Sequence, residues 1–154
     1  MWTTAETAIT PLPRDRVWEA VRDLHTGALT YPGGDGFELH GPFAVGTELT
    51  VTPEGQEPIR STIAVLEPGR TYADVTEFGD VRLTFRYDLE DGPEDDAAGE
   101  PAGTVVRYSL TIDGPGADAV GPELGPQISA DFPESLAALL AEAERRAGRS
   151  RLDA

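Results

Sequence analysis

The stretch from Arg70 to Glu90, RTYADVTEFGDVRLTFRYDLE, constrains the fold more than any other part of the chain. Two runs of strand-forming residues are separated only by Gly79-Asp80, a pair suited to a two-residue primed turn whose twist matches that of the strands it joins. Such a turn fixes register, so Phe78 and Val81 face each other. The period of two then puts Tyr72, Asp74, Thr76, Phe78, Val81, Leu83, Phe85, Tyr87 and Leu89 on one side. Thr71, Glu77, Arg82, Thr84, Arg86 and Asp88 fall on the other, which reads as the solvated side. Asp74 alone breaks the inward pattern. The alternative is a bulge before Phe78 that slips the register by one residue and turns Asp74 outward.

The flanking segments extend the same grammar. FELHGPF, TELTVTP and PIRSTIAVLEP read as strands punctuated by Gly and Pro, and GTVVRYSLTIDGP alternates Val106, Tyr108, Leu110 and Ile112 with Val105, Arg107, Ser109 and Thr111. Residues 2 to 10 suit a first strand ending at Pro11 and Pro13. In PRDRVWEAVRDL, Val17, Trp18, Val21 and Leu24 recur at helical spacing behind a first-turn proline. His25 to Gly36 is glycine-rich and reads as a short turn becoming loop. Residues 90 to 102, with six acids, no base and no large apolar side chain, read as a floppy hairpin tip. Residues 114 to 122 read as Gly-Pro punctuation. Beyond them Leu124, Ile128, Phe132, Leu136, Leu139, Leu140 and Ala143 form one helical stripe, kinked or restarted near Phe132 by Pro133.

These elements predict an α+β domain over residues 1–148, a curved antiparallel sheet of about six to seven strands around a long C-terminal helix, with 149–154 fraying. A chain of 154 residues has room for one core without staples. Cysteine is absent, which removes disulfides, thiolate metal sites and cysteine nucleophiles; all 12 basic residues are arginine, which removes Schiff-base and Walker-type lysine chemistry. The net charge of −16 repels nucleic-acid backbone and anionic lipid. Neither nucleic-acid nor membrane partners are expected. With no signal-peptide pattern at its start, the chain reads as cytoplasmic, as a monomer or homodimer.

Several segments also carry a family resemblance. PRDRVWEAVRDL resembles the start of the START/SRPBCC superfamily, FELHGPFAVGTEL its Gly-Pro then Val-Gly turn, AVLEPGRTYADV its Glu-Pro-Gly-Arg strand corner, and GTVVRYSLTIDGP its Gly-Thr strand ending in Gly-Pro. The likeness spans nearly the whole chain and is nearest to bacterial members labelled polyketide cyclase/dehydrase-like. It implies a helix-grip fold with a hydrophobic cavity between sheet and C-terminal helix, open near the glycine-rich turn after the first helix. It implies no fixed catalytic set, because relatives include lipid carriers, hormone receptors, aromatase/cyclases and hydrolases. Where many relatives have a tryptophan in that turn, this chain has Tyr31.

The expected ligand is therefore a small apolar or amphipathic molecule, lipid-like or polyketide-like. The expected wall is Tyr72, Thr76, Phe78, Leu83, Phe85, Tyr87, Val106, Tyr108, Phe132 and Leu136, with Tyr31 and His25 at the mouth. The tyrosines converge in the cavity or serve as core aromatics with their hydroxyls on water or backbone. A cyclase, dehydratase or isomerase would use Asp74 as acid or base, the tyrosines as donors to an enolate, and His25 or Arg60 as accessory groups. A protein-interaction module is the third class. His25 and His40 share no ligand spacing, so the plainer reading is an exposed loop histidine and a sheet-edge histidine. The acidic tip lacks a calcium-loop pattern, GPGADAVG lacks a βαβ unit, and no serine sits in a triad motif. No metal and no cofactor are expected.

Overall fold

The computed structural model describes residues 1–30, 34–53, 55–92, 94–95, 100–101 and 103–153, with side chains described up to Gly148 apart from residues 94, 95, 100 and 101. In chain order the elements are β1 (Trp2–Thr10), α1 (Arg14–Thr26), β2 (Gly36–Leu39), β3 (Glu48–Thr52), β4 (Ile59–Glu67), β5 (Thr71–Phe78), β6 (Val81–Asp91), the two-residue strands β7 (Glu94–Asp95) and β8 (Glu100–Pro101), β9 (Thr104–Asp113), α2 (Ala117–Ser129) and α3 (Phe132–Asp153). Seven strands form one antiparallel sheet in the order β1-β9-β6-β5-β4-β3-β2, and β7 pairs with β8 apart from it. Tyr31 and, within the acidic tip, residues 93, 96–99 and 102 lie outside the described residues.

The Gly79-Asp80 turn sets the centre of the sheet. Gly79 has φ +61°, and β5 pairs with β6 without interruption from Phe78↔Val81 to Thr71↔Asp88. The sheet's irregularity falls on the other side of β5, where the β4 register shifts between Ile63 and Val65. β5 is therefore unbulged and Asp74 stays on the inner face.

α1 enters at Pro13 and stops at Gly27, whose φ of 86° is left-handed and whose amide bonds the Leu24 carbonyl. A side chain at Gly27 would also place its Cβ 2.7 Å from the Phe37 carbonyl oxygen. The buried stripe Val17, Trp18, Val21 and Leu24 packs with Leu136, Leu139, Leu140 and Ala143 of α3 and with Tyr72, Tyr87 and Val106 of the sheet. Asp23 fastens α1 to α3 through Arg146.

The C-terminal region differs from the sequence reading. The Gly-Pro segment is not punctuation; it opens α2, which contains Pro122 and Pro126 and is separate from α3. Two prolines and two glycines are poor helix formers, so tertiary packing holds this helix. The Trp2 ring lies against Gly121 and Gly125, and α2 closes a second core with Val81, Leu83, Leu110, Ile112 and Phe132. The restart at Phe132 is as expected.

Two stability measurements check this packing by chemical denaturation. Trp18 is 9% exposed and lies 6.4 Å from Phe43 between ring centroids, so Trp18→Ala is expected to cost about 3–5 kcal/mol. A near-neutral result would place Trp18 outside the core. At Gly125, a methyl group would sit 2.3 Å from Trp2 Cζ3. Gly125→Ala is therefore expected to destabilise by about 1–3 kcal/mol despite alanine's better helix propensity, and the loss should shrink in a Trp2→Leu background.

Candidate functional site

Strand pairing arranges the inner face in rows. Tyr72, Tyr87, Tyr108 and Glu6 lie side by side across β5, β6, β9 and β1; the next row is Ile63, Asp74, Phe85, Leu110 and Thr4. The three tyrosine rings are neighbours: Tyr87 and Tyr108 stack at 4.2 Å, and Tyr108 stacks on Phe132 of α3 at the same distance, with Tyr72 and Tyr87 buried in the core and Tyr108 packed at its margin.

Asp74 is 4% exposed. The Tyr72 hydroxyl donates to its Oδ2 at 2.8 Å, and no other donor is bonded to the carboxylate among the described residues. Burial pushes the Asp74 carboxyl up to about 7, and the Tyr72 hydrogen bond only partly opposes this. Tyr72 is itself raised well above the usual phenol range by burial and by the neighbouring carboxylate. Two residues along β5, Thr76 shares a short hydrogen bond with Ser61 of β4.

His25 is not the exposed loop histidine of the plainer reading. It is 3% exposed on the last turn of α1, stacked on Tyr72 at 3.9 Å and edge-on to Phe37 and Tyr87. The helix continues two residues further than its apolar spacing required, and that carries the imidazole into the core. Its Nδ1 lies 2.7 Å from the Val21 carbonyl, which only accepts, so the proton is on Nδ1 and Nε2 carries a lone pair. Burial drops its pKa to about 4, against the opposing effect of the Val21 bond, and the ring is neutral at pH 7. His40, just past β2, is exposed and bonded to Thr50, in keeping with a sheet-edge position.

The remaining expected residues divide. Tyr87, Val106 and Leu136 belong to the closed core under α1, whereas Leu83 and Phe132 belong to the second core beneath α2. Phe85, directly across from Asp74, is half-buried, so solvent approaches the inner face within one residue of the carboxylate. Phe78 has the expected inward parity but is 59% exposed at the hairpin end. It shares that end of the sheet with exposed Ile59 on β4, half-buried Val51 on β3 and the start of β2 at Gly36. These residues make an apolar edge at the hairpin end of the sheet. Arg60 is removed from the site: its parity on β4 turns it outward to Glu48 at 2.8 Å. Phe43, which stacks on Tyr72 at 5.9 Å, was not anticipated because it lies between strands, where no periodicity marks it. Ser61 was available from the alternation of β4.

A groove of about 480 Å³ lies on the opposite face, lined by Thr3, Thr7, Arg86, Asp88, Arg107 and Thr111 among others. It is an open, polar trough crossed by the Arg86–Asp88 ion pair, without a buried titratable group. The buried titratable groups, Asp74 and His25, are on the inner side of the sheet.

Comparison of the fold with solved structures gives a consistent answer. Protein MLL2253 from Mesorhizobium loti superposes with a TM-score of 0.65 at 16% identity, over 93% of this chain and 97% of that one. Norcoclaurine synthase from Thalictrum flavum gives 0.63 at 14% identity, covering 94% and 85%. This chain has the helix-grip fold. The di-domain ARO/CYC protein StfQ of the steffimycin biosynthetic pathway gives 0.66 at 15% identity over 95% of this chain, which spans about half, 51%, of that protein. By sequence, no protein-family model and no curated protein matches the chain.

The environment of Asp74 makes a pH prediction. An acid whose folded pKa is raised binds more protons folded than unfolded, so stability is greatest below the unfolded value near 3.8 and is lost as pH rises toward about 7. The loss should approach roughly 1.4 kcal/mol per pH unit inside that window. Asp74→Asn should flatten it, and carboxyl NMR should find Asp74 titrating well above 3.8, shifted further up in Tyr72→Phe. A free-aspartate pKa indifferent to Tyr72 would place Asp74 in solvent.

Proposed function

We propose that this chain binds a small, mostly apolar molecule on the inner face of the grip, entering past Phe78 and Ile59 and reaching its polar handle at Asp74 and Tyr72. The observation that carries the proposal is the buried Asp74 carboxylate, held by one phenol in an aromatic interior whose neighbour Phe85 remains half-buried. A stability-driven core would place an apolar residue or an arginine partner there, because an uncompensated buried charge is costly. The fold supports the reading, since its cleft between sheet and helix suits a ligand, although fold alone selects neither ligand nor reaction.

A second reading, proton transfer next to a carbonyl as in a cyclase, dehydratase or isomerase, is favoured by one further observation: Asp74 is poised near neutrality. Burial raises it to where an acid and a base are both available at working pH. Tyr72 would be a positioning residue, and Thr76 and Ser61 the hydroxyls nearest along the strands.

Native mass spectrometry of the purified chain, followed by titration with a neutral fluorescent hydrophobe, tests the binding reading. A stoichiometric adduct, or saturable one-to-one binding weakened at least about fivefold by Phe78→Asp, is expected, since a charge at the mouth opposes entry of an apolar molecule. Binding unaffected by Phe78→Asp would put the ligand elsewhere, and no binding across a panel of hydrophobes would overturn the proposal.

A further inference from the structure

The two faces of the sheet differ in charge. Alternation places Arg60, Arg82, Arg86 and Arg107 on the outer face, and each is exposed there. The inner face of the sheet carries no arginine among the described residues and the chain has no lysine, yet it bears buried Asp74, half-buried Glu6 beside Tyr108 and, at the far end of β6, exposed Asp91, which faces Arg14 of α1 at 3.9 Å. The mouth is acidic too. Asp35, just before β2, is half-buried, and Asp131, at the α2–α3 junction, is close enough for its charge to add to the burial that raises Asp35. Around Tyr72 the walls are ring faces and edges: His25, Phe43 and, across the sheet, Tyr87. The Tyr72 hydroxyl bonds Asp74 at Oδ2, and the Val21 carbonyl holds His25 at Nδ1.

We infer that the ligand of this cleft is a cation, a protonated amine on an aromatic or aliphatic body, with Asp74 as its counter-ion. The inference rests on the binding reading above and specifies its ligand class. An ammonium would supply the opposite charge that buried Asp74, held only by the Tyr72 phenol, lacks. Aromatic faces attract cations through their quadrupole, and the attraction strengthens on desolvation. An acidic rim raises the local concentration of cations and repels anions. A carboxylate or phosphate ligand would meet only like charge at Asp35, Asp131, Glu6 and Asp74, with no basic side chain on the inner face to receive it.

Three probes of one shape separate the possibilities: naphthylmethylamine, naphthalenemethanol and naphthoate, titrated into the full chain at pH 8 with naphthalene fluorescence as the readout. The amine is expected to bind at least about tenfold more tightly than the alcohol, and naphthoate most weakly. Asp74→Asn should bring the amine-to-alcohol ratio down to about threefold or less. Asp35→Asn, a half-buried rim change that keeps the fold accessible if Asp74→Asn does not express, should lower the same ratio about twofold, and added salt should lower it in the wild type. Alcohol binding with a ratio near one, or naphthoate binding as tightly as the amine, would overturn the inference while leaving the binding reading intact. If none of the three probes binds, the binding reading fails and the inference fails with it.

Discussion

The unbroken pairing of β5 with β6 is the constraint on which the inner face depends. Because side chains alternate, a slip of one residue would exchange every inward group for an outward one. Gly79 in its left-handed conformation and the Phe78↔Val81 closure lock the register at one end, and eight consecutive pairs carry it to Thr71↔Asp88. Tyr72, Asp74 and Thr76 therefore share a face with Phe85 and Tyr87. The curvature of the sheet is taken up on β4, at Ile63 to Val65, where the shift leaves β5 straight. Had the bulge fallen on β5, Asp74 would have been one more carboxylate on a solvated surface beside Arg86.

What was legible in the sequence follows from which signals are local. The hairpin, β9 and α1 were readable because turn chemistry and periodicity are properties of adjacent residues, and the inward parity of Asp74 followed from them. α2 was not readable. Its Gly-Pro steps are helix-breaking by local propensity, and the helix exists because Gly121 and Gly125 receive a tryptophan from the far end of the chain. His25 failed for a related reason: a glycine-rich continuation made it look like loop, while its burial comes from rings on β2, β5 and β6 that sequence spacing does not bring together. Arg60 was misplaced by proximity in an imagined pocket although the alternation of β4 already turned it outward. The family resemblance supplied the assembly of sheet and helices and was silent on which wall residues remain accessible.

The inner face is covered differently along its length. Toward the Gly27 end of α1, helices α1 and α3 cover the tyrosine row, where His25 stacks on buried Tyr72, Tyr72 on half-buried Phe43, and half-buried Tyr108 on Phe132. Toward the hairpin end the cover is α2, whose shape is set by its fit to Trp2 and the second core, and Phe78 and Ile59 extend beyond it into solvent. Asp74 sits at the boundary between these two regions. Two residues toward the core Tyr72 is fully buried, and two toward the hairpin end Thr76 is buried as well, so Asp74 stands in a run of buried inward positions where its charge carries a cost. There its charge is destabilised, while Phe85 directly across the sheet remains half-buried. That position, set by strand register and the length of α1, gives the chain a polar group whose energy a bound ligand can lower.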